Sequence, residues 1–468
     1  MSGPLLNSCR VSTSPAPPGK PNIVFILIDD LGWKDLGYMG SKYYETPHID
    51  RLASQGMVFP NAYANAANCA PTRASLLCGQ YSPRHGVYTV GSSARGEPKD
   101  RRLIPVENSS EVDPAKTTVA EALKEAGYVS AAIGKWHIGN KPAQHGFDFG
   151  IDRGEMDIKG HFSVSGEYLT DLLTEKAVDF IRKNNPHTTK KPFFLYLSHH
   201  AVHTPIRAKQ ELMESFKKKP ADGCHSHAAY AAMIKSVDES VGRIHKTLEE
   251  LELAGNTLLI FFSDNGGHGT YTCQKPLRGG KGMYYEGGIR VPMFATWPGK
   301  VQPGSTCEEP VIGMDFYPTF LQMAGLNAPT GHELDGISLL PLLNGEKKLG
   351  RESLFWHFPC YLQAYKGMTD ESRDPLFRTR PVSVIRKRDW KLLMFHEEWV
   401  LDGGRQNLSV NNAIELYNLK DDIAEQNNLA QIYPGKRDEL LEELLDWQKN
   451  IRAPVPIDPN PEYSDKNI

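Results

Sequence analysis

The sequence predicts an α/β protein: a large mixed, mostly parallel sheet sandwiched by helices, followed by a smaller C-terminal α+β subdomain on a short antiparallel sheet. Two observations carry this expectation. Through residues 21–350, short and uniformly apolar runs alternate with helical patterns, as in a sheet whose strands are buried on both faces. After about residue 350 the pattern changes to short runs in close succession, as in an antiparallel meander. The expected organisation is a flexible leader over 1–20, a large α/β domain over 21–350 and the α+β subdomain over 351–468.

The leader is rich in Ser, Pro and Gly. The first strand is Asn22 to Ile28, six of whose seven residues are apolar, ended by Asp29. A helix follows from Pro47 to Gln55 with Gly56 as its stop, and a second runs from Pro71 to Cys78, ended by Gly79. Residues 91–115 are polar and irregular, with Arg95, Lys99, Arg101 and Arg102 clustered. Next come a helix from Thr117 to Ala126, a strand from Val129 to Ile133, and an amphipathic helix from Leu169 to Lys183. Phe193 to Leu197 reads as a strand, Tyr230 to Leu251 as a long helix, Thr257 to Phe262 and Ile289 to Thr296 as strands, and Asp315 to Met323 as a helix. The meander is Val382 to Ile385, Trp390 to Phe395 and Glu415 to Asn418, and Arg437 to Arg452 is a final helix. No internal repeat is visible.

Composition removes several classes of function. The 468 residues carry 53 Lys plus Arg against 56 Asp plus Glu, a net charge of −3. That balance argues against a nucleic-acid-binding domain, which would be strongly basic. No apolar run approaches the ~18 residues of a membrane span. The start of the chain has neither a charged n-region nor an apolar h-region, so no secretory signal is visible. Leu6-Asn7-Ser8-Cys9 is similar to the end of a bacterial lipoprotein signal, but it reads first as ordinary tail. The seven cysteines, at 9, 69, 78, 224, 273, 307 and 360, show neither a zinc spacing nor a dense disulfide framework.

The chemistry collects at strand ends. Asn22–Ile28 leads into Asp29-Asp30, Val129–Ile133 into Gly134-Lys135-Trp136-His137, Phe193–Leu197 into His199, His200 and His203, and Thr257–Phe262 into Asp264-Asn265-Gly266-Gly267. Ligands of open α/β sheets bind outside the carboxyl ends of the strands, so these clusters should meet in space. Asp29, Asp30, Asp264 and Asn265 supply only hard oxygen ligands, which suit Ca²⁺ or Mg²⁺ rather than zinc. Lys135, His137, His203, Arg73 and Lys281 make a cationic surround suited to a tetrahedral oxyanion such as sulfate or phosphate. Cys69 would sit at a helix N-terminus, where negative charge is favoured. A thiolate is nevertheless a poor partner for a hard cation. Ser75 and Thr72 fit the helix interior or surface equally well, and the tension points to chemical conversion of the cysteine.

Cys69-x-Pro71-x-Arg73 followed by Leu77-Cys78-Gly79 resembles the signature of the type I, formylglycine-dependent sulfatases of the alkaline-phosphatase-like superfamily. The likeness runs from Pro21 to about Leu429. It takes in Asp29-Asp30, Gly134-Lys135-Trp136-His137, His203-Thr204-Pro205, Ser263-Asp264-Asn265-Gly266, Gly280-Lys281-Gly282 through Arg290, Asp389-Trp390-Lys391-Leu392 and Glu415 to Leu419. The resemblance implies that Cys69 is oxidised to formylglycine by a formylglycine-generating enzyme. It implies that Asp29, Asp30, Asp264 and Asn265 bind Ca²⁺, in preference to Mg²⁺, together with residue 69. One hydroxyl of the aldehyde hydrate would attack sulfur. Arg73 would hold the hydrate, and Lys135, His203 and Lys281 would bind the sulfate, the latter two helping to protonate the leaving alcohol. His137 would take the proton of the remaining hydroxyl, expelling sulfate.

The substrate implied is a sulfated carbohydrate or an aryl sulfate, with a carbohydrate preferred. The basic stretch Arg95 to Arg102 and the segment Phe355-Trp356-His357-Phe358-Pro359 are expected to rim the pocket, with Arg278 and His268 able to reach it and His357, Arg95 and Arg278 among the substrate contacts. The basic stretch reads equally as a solvated loop, and Trp356 as a core aromatic between the two domains. Family resemblance further implies a periplasmic or secreted location. The competing readings are a phosphodiester or phosphonate monoester hydrolase of the same superfamily and a non-catalytic sulfated-glycan-binding protein.

Overall fold

The computed structural model describes residues 19–464 apart from 153, 155–157, 367, 369 and 370. The expected leader, with Cys9 and the lipoprotein-like Leu6 to Cys9, lies outside the described residues except at its last two positions.

An eight-stranded sheet runs in the order 305–306, 57–58, 293–296, 257–263, 22–28, 193–198, 129–134, 149–151. Asn22–Ile28 lies between Phe193–Ser198 and Thr257–Ser263, parallel to both, and Val129–Gly134 continues the parallel set. Alternate residues face opposite layers. Ile23, Phe25 and Leu27 pack with the helices Cys69–Cys78, Val119–Glu125 and Phe316–Ala324. Val24, Ile26 and Ile28 pack with Pro47–Ser54, Leu169–Lys183 and Ala228–Glu250. Both faces of the central strands are therefore core, which is why these strands read as continuous apolar runs.

Register sets the site. Leu27 pairs with Ser198 and Phe262, Ile28 with Ser263, and Gly134 with Ser198. The polar residues that follow each strand thus emerge at one level of one edge. The expected strand from Ile289 to Thr296 is shorter than the apolar pattern suggested: Glu286–Ile289 is a helical turn, and only Met293–Thr296 pairs, antiparallel to Thr257–Ser263.

The C-terminal sheet has four antiparallel strands, Ser353–Phe358, Val382–Lys387, Trp390–Phe395 and Ile414–Asn418, with Pro434–Asn450 packed on one face. Its first strand is the segment expected to rim the pocket. Leu354 and Trp356 are instead buried, and the Trp356 indole donates to the Ala64 carbonyl (2.8 Å), joining this sheet to the large one. A run of consecutive aromatics is a strand buried on both faces before it is a binding ledge. No helix among the described residues is long and apolar enough to cross a membrane.

Candidate active site

The polar strand ends converge as the topology requires. Asp29 and Asp30 follow the first strand, and Asp30 takes a left-handed backbone (φ 62°). His137, after Val129–Gly134, does the same (φ 64°). Such a conformation costs a non-glycine residue about 1–3 kcal/mol and persists only where surrounding contacts impose it.

Cys69 and Arg73 come from one helix face because a C-x-P-x-R spacing places them one turn apart. Thr72 anchors the turn before the helix, donating to the Ala66 carbonyl (3.0 Å) and accepting from the Ala66 N–H (3.1 Å). Arg73 is completely buried. Its guanidinium donates to Asp264 Oδ2 from Nε (3.0 Å) and Nη2 (2.6 Å), to the Lys135 carbonyl (2.8 Å) and to the Ser198 hydroxyl. It thereby ties together the helix and three strand ends. The Lys135 ammonium pairs with Asp29, and Lys281 pairs with Asp30 Oδ2 (2.7 Å). Asn265 Nδ2 donates to Asp30 Oδ1 (2.9 Å), and His203 Nε2 lies 3.7 Å from Asp30 Oδ2. His137 Nδ1 stands 3.3 Å from Cys69 Sγ.

The electrostatics follow from burial. Burial raises both the Asp29 and Asp30 carboxyls, but Lys135, His203, Arg73 and Lys281 outweigh it at Asp29, and Lys281, His203 and Lys135 outweigh it and the Asp29 charge at Asp30, holding both below the usual range. Asp264 goes the other way: burial and the neighbouring Asp29 charge push it well up despite Arg73. Burial, Lys135 and Arg73 lower His137 to about 3, so its imidazole is neutral, with Nδ1 facing residue 69.

Three buried carboxylates thus face three cations, yet two oxygens remain unserved. Asp29 Oδ1 and Asn265 Oδ1 are buried without a hydrogen-bond donor among the described residues. An unpaired buried acceptor costs about 1–3 kcal/mol. One donor atom each of Asp29, Cys69 and Asp264 lie within 4.8 Å of one another. Hard oxygens, crowded carboxylates and bare acceptors together fit a divalent cation.

The cluster opens into a cavity of about 590 Å³. Cys69, Lys135, His137, His203 and Lys281 line it, and so do Arg95 and His268. Three rim expectations fail. His357 is buried in the C-terminal sheet, its Nε2 donating to the Pro454 carbonyl (2.8 Å) and its Nδ1 accepting from Ser383 (2.7 Å). Arg278 lies over the Tyr285 ring (3.8 Å) and donates to the Glu425 carbonyl (3.0 Å), away from the cavity. In the basic stretch, Arg101 donates to the carbonyls of Ala94 and Gly96, and Arg102 pairs with Asp402 (2.6 Å). In each case a nearby carboxylate, carbonyl or ring satisfies the side chain first.

Of the weaker histidines, His199 bonds Ser240 (3.0 Å) inside the core, whereas His200 lines the cavity and bonds Asp152 (2.9 Å). Ser75 is occupied by His85 (2.9 Å). Sequence reasoning missed Asp152, His161, Thr89, Tyr365 and Arg378 in the cavity wall. None of them directly follows one of the four long parallel strands, the signal that found Asp29, Lys135, His137, His200 and His203.

The sulfatase family model matches residues 21–326. The chain belongs to the sulfatase family. A second model, N-sulphoglucosamine sulphohydrolase, C-terminal, matches residues 280–450 of this sulfatase. It is 33% identical to a sulfatase of Formosa agariphila over 93% of this chain and 88% of that one. It is also 33% identical to the N-acetylgalactosamine-6-sulfatase of Homo sapiens over 75% of this chain and 71% of that one. Among solved structures, Ps i-CgsB in complex with k-i-k-neocarrahexaose superposes with a TM-score of 0.73 at 29% identity, covering 92% of both chains. The sulfatase is a sulfuric ester hydrolase, of the alkaline-phosphatase-like superfamily. Sulfatases generally carry a formylglycine and a divalent metal ion, and this chain has an acidic group suited to the metal.

Proposed function

We propose that this sulfatase hydrolyses O-sulfate esters on a sulfated carbohydrate, with residue 69 as formylglycine and Ca²⁺ held by Asp29, Asp30, Asp264 and Asn265. The observation that carries this reading is the buried acidic cluster, with two bare oxygens, at the floor of a cation-lined cavity beside Cys69. The carbohydrate part draws on relatives named for an amino-sugar sulfate and solved with a carrageenan oligosaccharide.

The metal, when bound, would withdraw charge from the ester. Lys135 and Lys281 present ammonium groups to the sulfate oxygens. His203 and Lys281 are the donors assigned to the leaving alcohol. His137, kept neutral, accepts the proton of residue 69 across the 3.3 Å contact. Arg73 holds Asp264 and the Lys135 carbonyl in place, so helix and strand ends move as one body. Maturation would need a formylglycine-generating enzyme. A periplasmic or secreted setting belongs to the same proposal, and the Cys224–Cys273 disulfide supports it, since such bonds persist in oxidising compartments.

The test is sulfate release from a panel of sulfated mono- and oligosaccharides, beside matched phosphate esters. The protein used has residue 69 verified by peptide mass at about 18 Da below cysteine. Sulfate release that is lost in Cys69→Ala is expected. Preferential turnover of the phosphate esters, or inert protein with a verified aldehyde, would overturn the reading in favour of a phosphoesterase or a binding protein.

A further inference from the structure

Asp29-Asp30 and Asp264-Asn265 lie on two turns that follow neighbouring parallel strands. Those turns pack almost backbone to backbone. A Cβ added at Gly32 would stand 2.1 Å from the Gln274 side chain. One added at Gly267 would stand 2.5 Å from Gln274 and from Thr272, and 3.2 Å from the Gly32 Cα. The Lys34 N–H donates to Gln274 Oε1 (3.3 Å), and the Leu31 N–H donates to Ser263 Oγ (3.1 Å).

At the centre of this packing is Asp35, a carboxylate with no exposed surface and no place in the cavity wall. Its oxygens collect donors from three segments. Oδ2 accepts from the Gly32 N–H (2.9 Å) and from the hydroxyl of Tyr230 (2.6 Å), a residue of the helix Ala228–Glu250. Oδ1 accepts from the Thr272 hydroxyl (2.6 Å). The Tyr230 hydroxyl also reaches the Asp30 carbonyl (3.2 Å). Asp30 has the left-handed backbone noted above, and its side chain meets Lys281 and Asn265. The Thr272 end is anchored in turn. Its hydroxyl accepts from Tyr44 (3.2 Å), and the next residue, Cys273, is disulfide-bonded to Cys224. The Cys273 carbonyl accepts from His225 Nε2 (3.1 Å), which lies 3.7 Å from Asp35 Oδ1. A buried carboxylate is costly unless hydrogen bonds satisfy it. Here each donor belongs to a turn that carries a candidate metal ligand or to the helix behind them.

We propose that Asp35 and Tyr230 are positioning residues for the metal. Through the Asp30 carbonyl and through Thr272 they hold the two turns at the spacing that lets Asp30 and Asn265 ligate one divalent cation together. Groups of this kind orient the ligands without touching the ion. This rests on the Ca²⁺ reading above.

The test is Ca²⁺ affinity, measured by competition with a chelator on the whole chain with residue 69 verified by mass. Tyr230→Phe removes one oxygen, and Asp35→Asn removes the charge at constant shape. Each should weaken Ca²⁺ binding by about tenfold or more, and Thr272→Val by less. Sulfate release by Tyr230→Phe should fall at limiting Ca²⁺ and return towards wild type at saturating Ca²⁺, with KM for the sulfate ester little changed. Tyr43→Phe is the control. The Tyr43 ring is likewise buried, but its hydroxyl donates to the carbonyls of Phe216 (3.1 Å) and Ser226 (3.0 Å) and is bonded to neither turn. That variant should lower the thermal midpoint and leave Ca²⁺ affinity unchanged. If Asp35→Asn does not fold, Tyr230→Phe decides alone. Unchanged affinity in Tyr230→Phe, or an equal loss in Tyr43→Phe, would overturn the positioning role and leave the metal ligands as assigned. A wild type with no affinity for Ca²⁺ would remove the metal reading and this proposal with it.

Discussion

Two buried charge clusters flank the segment 278–290 and are built to opposite ends. On one side, Lys281 reaches Asp30, beside Asp29, Asp264, Arg73 and Lys135. On the other, Lys391 lies between Glu286 (3.0 Å) and Glu425 (2.8 Å), all three side chains fully buried. Tyr63 donates to Glu286 Oε2 (2.6 Å), Arg290 lies 3.4 Å from the same carboxylate, and the Glu286 N–H donates to Glu425 Oε2 (2.6 Å). The second cluster knots the large sheet to the C-terminal one. The first opens into a cavity and leaves Asp29 Oδ1 and Asn265 Oδ1 bare. The residue types are the same, so charge alone does not mark a site. What marks it is the coincidence of unserved carboxylate and amide oxygens with an open cavity beside Cys69.

That contrast is broken most directly by Asp29→Asn, which removes one charge at constant shape. Sulfate release should fall by about 10²- to 10³-fold or more, as for other groups aimed at developing charge. Added Ca²⁺ should raise the thermal midpoint of wild type but not of the variant, since a ligand stabilises only a fold that binds it. A variant that keeps both activity and the Ca²⁺ response would mean that the bare oxygen is not a ligand.

Lys391→Met probes the closed cluster. It leaves two carboxylates facing each other in the core and should cost about 3–5 kcal/mol in urea unfolding. Lys217→Ala, which removes the exposed pair with Glu214 (2.8 Å), should cost less than about 0.5 kcal/mol. Similar losses in the two variants would deny that burial is what separates them.

The smallest effect is a pH slope. Burial and the Glu286 charge raise Glu425 to about 7 against the pull of Lys391. Lys391 and Arg290 overcome burial to hold Glu286 at about 2. Native Glu425 therefore binds its proton more tightly than the unfolded chain does, and its contribution to stability is lost as pH rises from about 4.5 to about 7. Glu286 has the opposite sign, contributing above about pH 4.5 and losing that contribution as pH falls toward 2. Urea midpoints at pH 5 and pH 7.5 should show a decline in wild type that is shallower in Glu425→Gln. An undiminished decline would assign it to other groups.

Much of the large domain was legible because its central strands are buried on both faces and so announce themselves as apolar runs. Asn22–Ile28 and Leu169–Lys183 are bounded as expected. The strand before Met293 was overextended because the apolar pattern continues through a helical turn that ends at Ile289. The segment Phe355 to Pro359 reads as a rim because aromatic residues suit sugar stacking and core packing alike, and only the pairing of Ser353–Phe358 with Val382–Lys387 decides between them. Asp29, Asp30, Lys135, Asp264 and Asn265 were within reach because each follows a strand, and Cys69 because it opens a helix; Arg73 and Lys281 carried no such signal and came from the motif resemblance. Arg278 and His357 were not separable from true wall residues, since nothing local to them reveals the ring, carbonyl or hydroxyl that claims each side chain.

The sequence by itself determined the order of strands and helices, the hard-oxygen donor set, and the one-turn spacing that puts Cys69 and Arg73 on a common face. These are local properties of period, residue chemistry and strand termination. Tertiary structure alone decided which cations remain available to a ligand. Whether an arginine meets a carboxylate, a ring or open cavity depends on segments far away in the chain, as when Arg102 meets Asp402 while Arg95, seven residues earlier, lines the cavity.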